Sequence, residues 1–97
     1  MQIKLTGKKM EITPALREVI NNKLQQGIGR FAKKIISIDV TLKVDKLSQI
    51  AEATLHLTGT KLHAESTSND MYPAIDDLVD KLAKLLIKYK EKQTNHR

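Results

Sequence analysis

The sequence predicts an α+β fold with element order β-α-β-β-β-α, a four-stranded sheet carrying two helices packed on one face. Three observations predict it. Residues 35–45 alternate apolar and polar side chains as a half-buried strand does. Residues 70–92 repeat apolar side chains at spacings of three and four, the period of an amphipathic helix. Thr13-Pro14 opens a second, shorter helical pattern, with Thr as N-cap and Pro where a missing N–H costs nothing. Two helices with one apolar stripe each and a sheet with one apolar face cover one another as two layers, leaving the second sheet face to solvent.

The elements follow in order. In residues 2–6, Ile3 and Leu5 lie on one side and Gln2, Lys4 and Thr6 on the other, a short strand ended by Gly7 and Lys8-Lys9. After Thr13-Pro14, Leu16, Val19, Ile20 and Leu24 keep helical spacing. Gly27 and Gly29 each cost roughly 1 kcal/mol in a helix interior, so the helix is expected to end near Gln26, with a looser turn from Ile28 to Phe31. In the next strand Ile36, Ile38, Val40, Leu42 and Val44 face inward. A turn over 45–49 leads to a strand over 50–58 with Ala51, Ala53, Leu55 and Leu57 inward. A Gly59-Thr60 turn of the Gly-first type then leads to a strand with Leu62, Ala64 and Ser66 inward. That turn sets Leu57 against Leu62, Leu55 against Ala64 and His56 against His63. The strand before it is then expected to place Val40 against Leu55, Lys43 against Glu52 and Asp39 against His56, both outer pairs being of complementary type. A right-handed crossover through the first helix makes the first strand parallel to the second. The last helix sorts its charges along the axis: Asp70, Asp76, Asp77 and Asp80 come first, then Lys81, Lys84, Lys88, Lys90 and Lys92, an order that suits the macrodipole. Asp77 with Lys81 and Asp80 with Lys84 form i,i+4 pairs. Lys81, Lys84, Lys88 and Lys92 share one face, and no acid remains for the last two.

At 97 residues the chain reads as a single domain over residues 1–92, with residues 93–97 expected to be a disordered polar tail. It lacks cysteine, which excludes disulfides and thiolate metal sites and suits a reducing, cytoplasmic setting. The opening MQIKLTGKKM has no signal-peptide apolar run, and no stretch is apolar for a membrane-spanning length. The net charge is +6. Residues 1–34 hold eight Lys or Arg against two Glu, residues 35–70 three against five acids, and residues 71–97 six against four. The positive charge thus belongs to the two helical regions, which suggests a polyanion, nucleic acid before membrane. Solubility is the plainer reading of the same charge.

Catalysis finds little to stand on. No phosphate-binding glycine loop or G-x-S-x-G is present. His56 and His63, with Glu65 or Asp39 nearby, could hold a divalent cation in a small metal-dependent enzyme, but two strand histidines without a third strong ligand are usually ordinary surface residues. The Asp76, Asp77 and Asp80 group is explained by the helix N-terminus. No aromatic falls on an expected strand, so the sheet offers no base-stacking platform. Phosphate binding by helix-borne Lys and Arg remains, with recognition by RNA shape rather than sequence. The element order resembles a double-stranded-RNA-binding domain with an added first strand, but the acids at the start of the last helix replace the lysines that clamp phosphates there. A general RNA-binding module or RNA chaperone is the alternative reading.

The segments MQIKLTGKKMEITPALRE, IDVTLKVDK and ATLHLTGTKLHAE, and above all NDMYPAIDDLVDKLAKLLIKYKEK, resemble the short form of the bacterial ribosome hibernation-promoting factor family, relatives of ribosome-associated inhibitor A. The resemblance implies a non-enzymatic, cofactor-free protein, monomeric off the ribosome. It would sit between head and body of the small ribosomal subunit, contact rRNA and occupy the path of mRNA and tRNA, inhibiting translation under stress or in stationary phase. Paired, stored ribosomes and ribosome modulation factor are associated with the short form. The chain is expected to be without the long form's dimerisation domain, and so not to pair ribosomes alone. The basic positions that carry over as rRNA contacts are Arg17, Lys23, Arg30, Lys33 and Lys34 from the first helical region and Lys81, Lys84, Lys88, Lys90 and Lys92 from the last helix. The Gln-Gln-Gly-Ile-Gly run at 25–29 and Pro73 depart from the family pattern.

Overall fold

The computed structural model describes residues 1–95; His96 and Arg97, the last two of the expected tail, lie outside the described residues. The elements are β1 (Gln2–Lys8), α1 (Pro14–Ile28), a 3-10 helix (Gly29–Lys34), β2 (Ile35–Asp45), β3 (Ser48–Leu57), β4 (Thr60–Ser68) and α2 (Met71–Asn95). The sheet order is β1-β2-β3-β4, with β1 parallel to β2 and the other pairs antiparallel. Ile38, Val40, Leu42, Ala51, Ala53 and Leu55 on the inner sheet face are buried together with Ile20, Leu24 and Ile28 of α1 and Ile75, Leu78, Leu82 and Leu86 of α2. The two-layer architecture is therefore as the periodicity predicts.

The registers differ from expectation by two residues. Both hairpins turn one residue earlier than expected: Leu57 pairs Thr60 around Thr58-Gly59, and Asp45 pairs Ser48 around Lys46-Leu47. Gly59 takes the second turn position at φ 79°, a backbone region that glycine enters without strain. Each turn moves by one residue, so partners shift by two and every side chain keeps its face. Leu55 accordingly faces Leu62 and Ile38, and Val40 faces Ala53. Lys43 lies opposite Ile50, while Glu52 lies between Thr41 and Glu65. At the start of β2 the register slips between Ile35 and Ser37, which buries Ile35 and leaves Ile36 exposed, against the simple alternation.

The helices differ at their C-terminal ends. Gly27 does not stop α1; a Cβ at that position would collide with Val79 Cγ1, so the glycine leaves room for α2 to pack against α1. Beyond Ile28 the chain tightens into the 3-10 helix instead of loosening, so Arg30, Lys33 and Lys34 stand on that element and not on α1. The backbone of α2 stays helical through Asn95, three residues into the expected tail.

Candidate nucleic-acid interface

Two contacts fix the relative course of the helices. Lys23 of α1 is ion-paired with Asp76 of α2, and one turn further along both helices Gly27 meets Val79. The helices therefore advance in the same direction, and the 3-10 helix that continues α1 comes alongside the C-terminal half of α2. Arg30 and Phe31 share a shallow hollow with Ile87, Lys90 and Glu91. Lys33 and Lys34 share another with Ile36, Thr58 and Tyr89. Lys88 lines a groove between α2 and β4 with His63, Ala64, Lys84 and Leu85, and Lys92 is exposed one turn beyond it. Arg30, Lys33, Lys34, Lys88, Lys90 and Lys92 thus converge at one end of the molecule. Arg30 lies 4.7 Å from the centroid of the Phe31 ring, a cation–π contact that orients the guanidinium while leaving the residue exposed.

The remaining expected contacts are engaged or apart. Lys23 bridges the helices through Asp76. The Lys81 ammonium donates to the Glu65 carbonyl oxygen at 2.9 Å and stands 3.1 Å from Asp77, so it ties α2 to β4. Lys84 pairs with Asp80 at 3.1 Å, but both are exposed, and such a pair contributes about 0–1 kcal/mol; Lys84 can exchange its partner for a phosphate at little cost. Arg17 closes the first turn of α1 beside Ile12, Pro14, Glu18, Asn21 and Asn22, away from the basic end. The single lysine stripe on α2 is therefore divided. Its first member holds the fold together, and its later members join cations from the 3-10 helix.

Asp77 completes the α2–β4 link. The hydroxyl of buried Ser66 donates to Asp77 Oδ2 at 2.7 Å, and that bond first, with Lys81 second, holds the carboxyl below the usual carboxylate range. A folded-state value below the unfolded one stabilises the fold at pH above the unfolded value, and that contribution disappears as pH falls through the folded value. Asp77→Asn should melt below wild type at neutral pH. The difference should shrink as pH is lowered through the usual aspartate range and vanish below it. Parallel melting curves at several pH values check this; a difference independent of pH would show that Asp77 acts without its charge.

The histidines do not form the expected pair. His63 lies opposite Thr54, with Nδ1 hydrogen-bonded to Thr54 Oγ1 at 3.0 Å, and His56 lies opposite Lys61, with Nε2 2.8 Å from Asp39 Oδ2. Among the described residues no three His, Cys, Asp or Glu side chains converge as metal ligands, and no helix is long and apolar enough to cross a membrane. Lys61, exposed beside the β3–β4 turn at the basic end, did not stand out in the sequence, because only the three-dimensional closure of that hairpin brings it there.

The model of the Sigma 54 modulation protein / S30EA ribosomal protein family matches residues 3–94. A ribosome hibernation promoting factor from Klebsiella oxytoca is 44% identical over 96 residues, covering 99% of this chain and all of that protein. Its counterpart from Escherichia coli K12 is 43% identical over the same coverage. Among solved structures, a ribosomal subunit interface protein from Coxiella burnetii superposes with a TM-score of 0.88 at 37% identity, covering 94% of this chain and 99% of that one. The N-terminal domain of Thermus thermophilus Protein Y gives 0.82 at 31% identity, covering 92% and 99%. Matched nearly end to end in sequence, and in fold by structures of the same kind, this chain belongs to the Sigma 54 modulation protein / S30EA ribosomal protein family.

Proposed function

We propose that this protein is a ribosome hibernation factor, a non-enzymatic inhibitor of translation. In this reading it binds the small ribosomal subunit in the cytoplasm and seats its basic end against rRNA in the channel used by mRNA and tRNA. The observation that carries the proposal is the convergence of Arg30, Lys33 and Lys34 with Lys88, Lys90 and Lys92 at one end of a chain whose full-length relatives are named for ribosome hibernation. Cations presented by a 3-10 helix and a long α-helix form a rigid relief. Such a relief recognises a contoured phosphate surface by shape and charge, without base readout. Formation of stored ribosome pairs together with ribosome modulation factor belongs to the same reading.

Sedimentation of the pure protein with small subunits tests it. The protein is expected in the subunit fraction at low salt and released as salt rises, at least tenfold more tightly bound there than to a plain RNA duplex. Absence from the subunit fraction at low salt would end the proposal, and equal affinity for the duplex would favour a general RNA-binding module.

A further inference from the structure

We propose that Lys8, Lys9, Lys43 and Lys46 form a second RNA-phosphate-binding patch, at the end of the sheet opposite the 3-10 helix. The inference deepens the ribosome-binding reading and rests on it for the identity of the RNA. The four lysines are far apart in sequence, and the fold gathers them. β1 runs parallel to β2 with Lys8 directly opposite Lys43 on the solvent face, neighbouring strands being about 4.8 Å apart. Lys9 follows the end of β1, and Lys46 follows the end of β2 in the turn to β3. Among the described residues none of the four has an ion pair or a side-chain hydrogen bond. Glu11 and Asp45 are near in sequence, but neither pairs with them. By contrast, Lys23, Lys81 and Lys84 of the helices all have carboxylate partners.

The placement works against stability. Like charges side by side on adjacent strands repel. Lys9 and Lys46 are also the two non-glycine residues with positive φ among the described residues, at 60° and 57°, in a left-handed conformation that L side chains enter at a cost. Glycine or asparagine would serve either turn better. Strained lysines meeting paired lysines at one corner fit a surface kept for its charge. β2 runs from Ile35, next to Lys34, to Asp45, next to Lys46, so the two basic patches stand roughly 33 Å apart. That span lets one small rigid domain hold two separate rRNA segments, which resists dissociation more than one patch of the same total charge.

The test uses K9G/K46G, which removes two cations and relieves both left-handed residues, and the four-lysine variant K8Q/K9G/K43Q/K46G. K9G/K46G should melt no lower than wild type. The slope of log affinity against log salt for small subunits should fall in magnitude by about 1.5, and by about 3 in the four-lysine variant, at 0.7–0.9 per phosphate contact. The same titration on poly(U) should lose slope in parallel. Subunit binding with unchanged affinity and slope in the four-lysine variant overturns the patch and leaves the proposed function standing. Loss of slope on poly(U) in a protein whose wild type ignores subunits upholds the patch and overturns that function. If the variant loses binding to vesicles containing phosphatidylserine while both RNA slopes stay unchanged, the patch is a lipid site and the proposal fails.

Discussion

Reversing three cations at the basic end, K33E/K88E/K92E, is expected to lower affinity for small subunits by at least about 100-fold at 0.15 M salt while leaving the fold intact. At a slope near 0.9 per phosphate, each contact contributes about 0.7 log units at that salt concentration relative to 1 M, so three lost contacts give about two orders of magnitude before the new glutamates add repulsion. All three lysines are exposed and none has an ion-pair partner among the described residues, so the circular dichroism and melting temperature should stay close to wild type. Lys81→Ala is the informative contrast. It removes the contacts to Asp77 and to the Glu65 carbonyl, so it should lower the melting temperature and change the salt slope by less than one contact. If K81A lost binding as completely as the triple variant without losing stability, the division of the α2 lysines into structural and RNA-facing members would be wrong.

Which parts of this could be read in the sequence follows from the range of the interactions involved. The strands and helices were legible because side-chain periodicity reports burial locally: Ile38, Val40 and Leu42, like Ile75, Leu78 and Leu82, are buried where alternation and helical spacing place them. The registers were legible only in parity. Alternation fixes the face of every residue, but the turns that Lys46-Leu47 and Thr58-Gly59 adopt decide the partner, and a residue pair such as Gly59-Thr60 carries the composition of a turn equally well. Gly27 misled, because a glycine read along one helix signals an end, whereas its role lies in a neighbour more than fifty positions away. The candidate site divided in the same manner. The abundance of helical cations was visible, but whether a lysine meets a phosphate or a carboxylate depends on partners from other elements. Lys23 finds Asp76 and Lys81 finds the Glu65 carbonyl across gaps that no local pattern encodes. The corner of Lys8, Lys9, Lys43 and Lys46 was hidden for the same reason, its members being joined by the parallel pairing of β1 with β2.

Gly27→Ala is expected to destabilise the protein by about 1–2 kcal/mol even though alanine is the better helix former. In an isolated helix the exchange would gain roughly 1 kcal/mol. Here the new Cβ would lie 2.2 Å from Val79 Cγ1, and Val79 is a buried β-branched side chain with little freedom to turn aside. Relief requires the helices to separate, and overpacking of this kind costs about 1–3 kcal/mol before the strained neighbours are counted. For a domain of this size the net loss corresponds to a fall of about 4–15 °C in melting temperature. Val79→Ala alone should also destabilise, by leaving a void. In the double variant the two changes should compensate, with a coupling of at least about 1 kcal/mol, because the methyl added on α1 fills the space cleared on α2. A G27A protein that melts at or above wild type would mean that the helices do not approach so closely at this crossing. The same contact bears on binding. Gly27 lies two residues before the 3-10 helix, so helices forced apart there would move Arg30, Lys33 and Lys34 away from Lys88, Lys90 and Lys92. Subunit affinity in G27A should therefore fall at temperatures where the variant is still fully folded, and recover with V79A, although neither residue carries a charge or reaches the RNA.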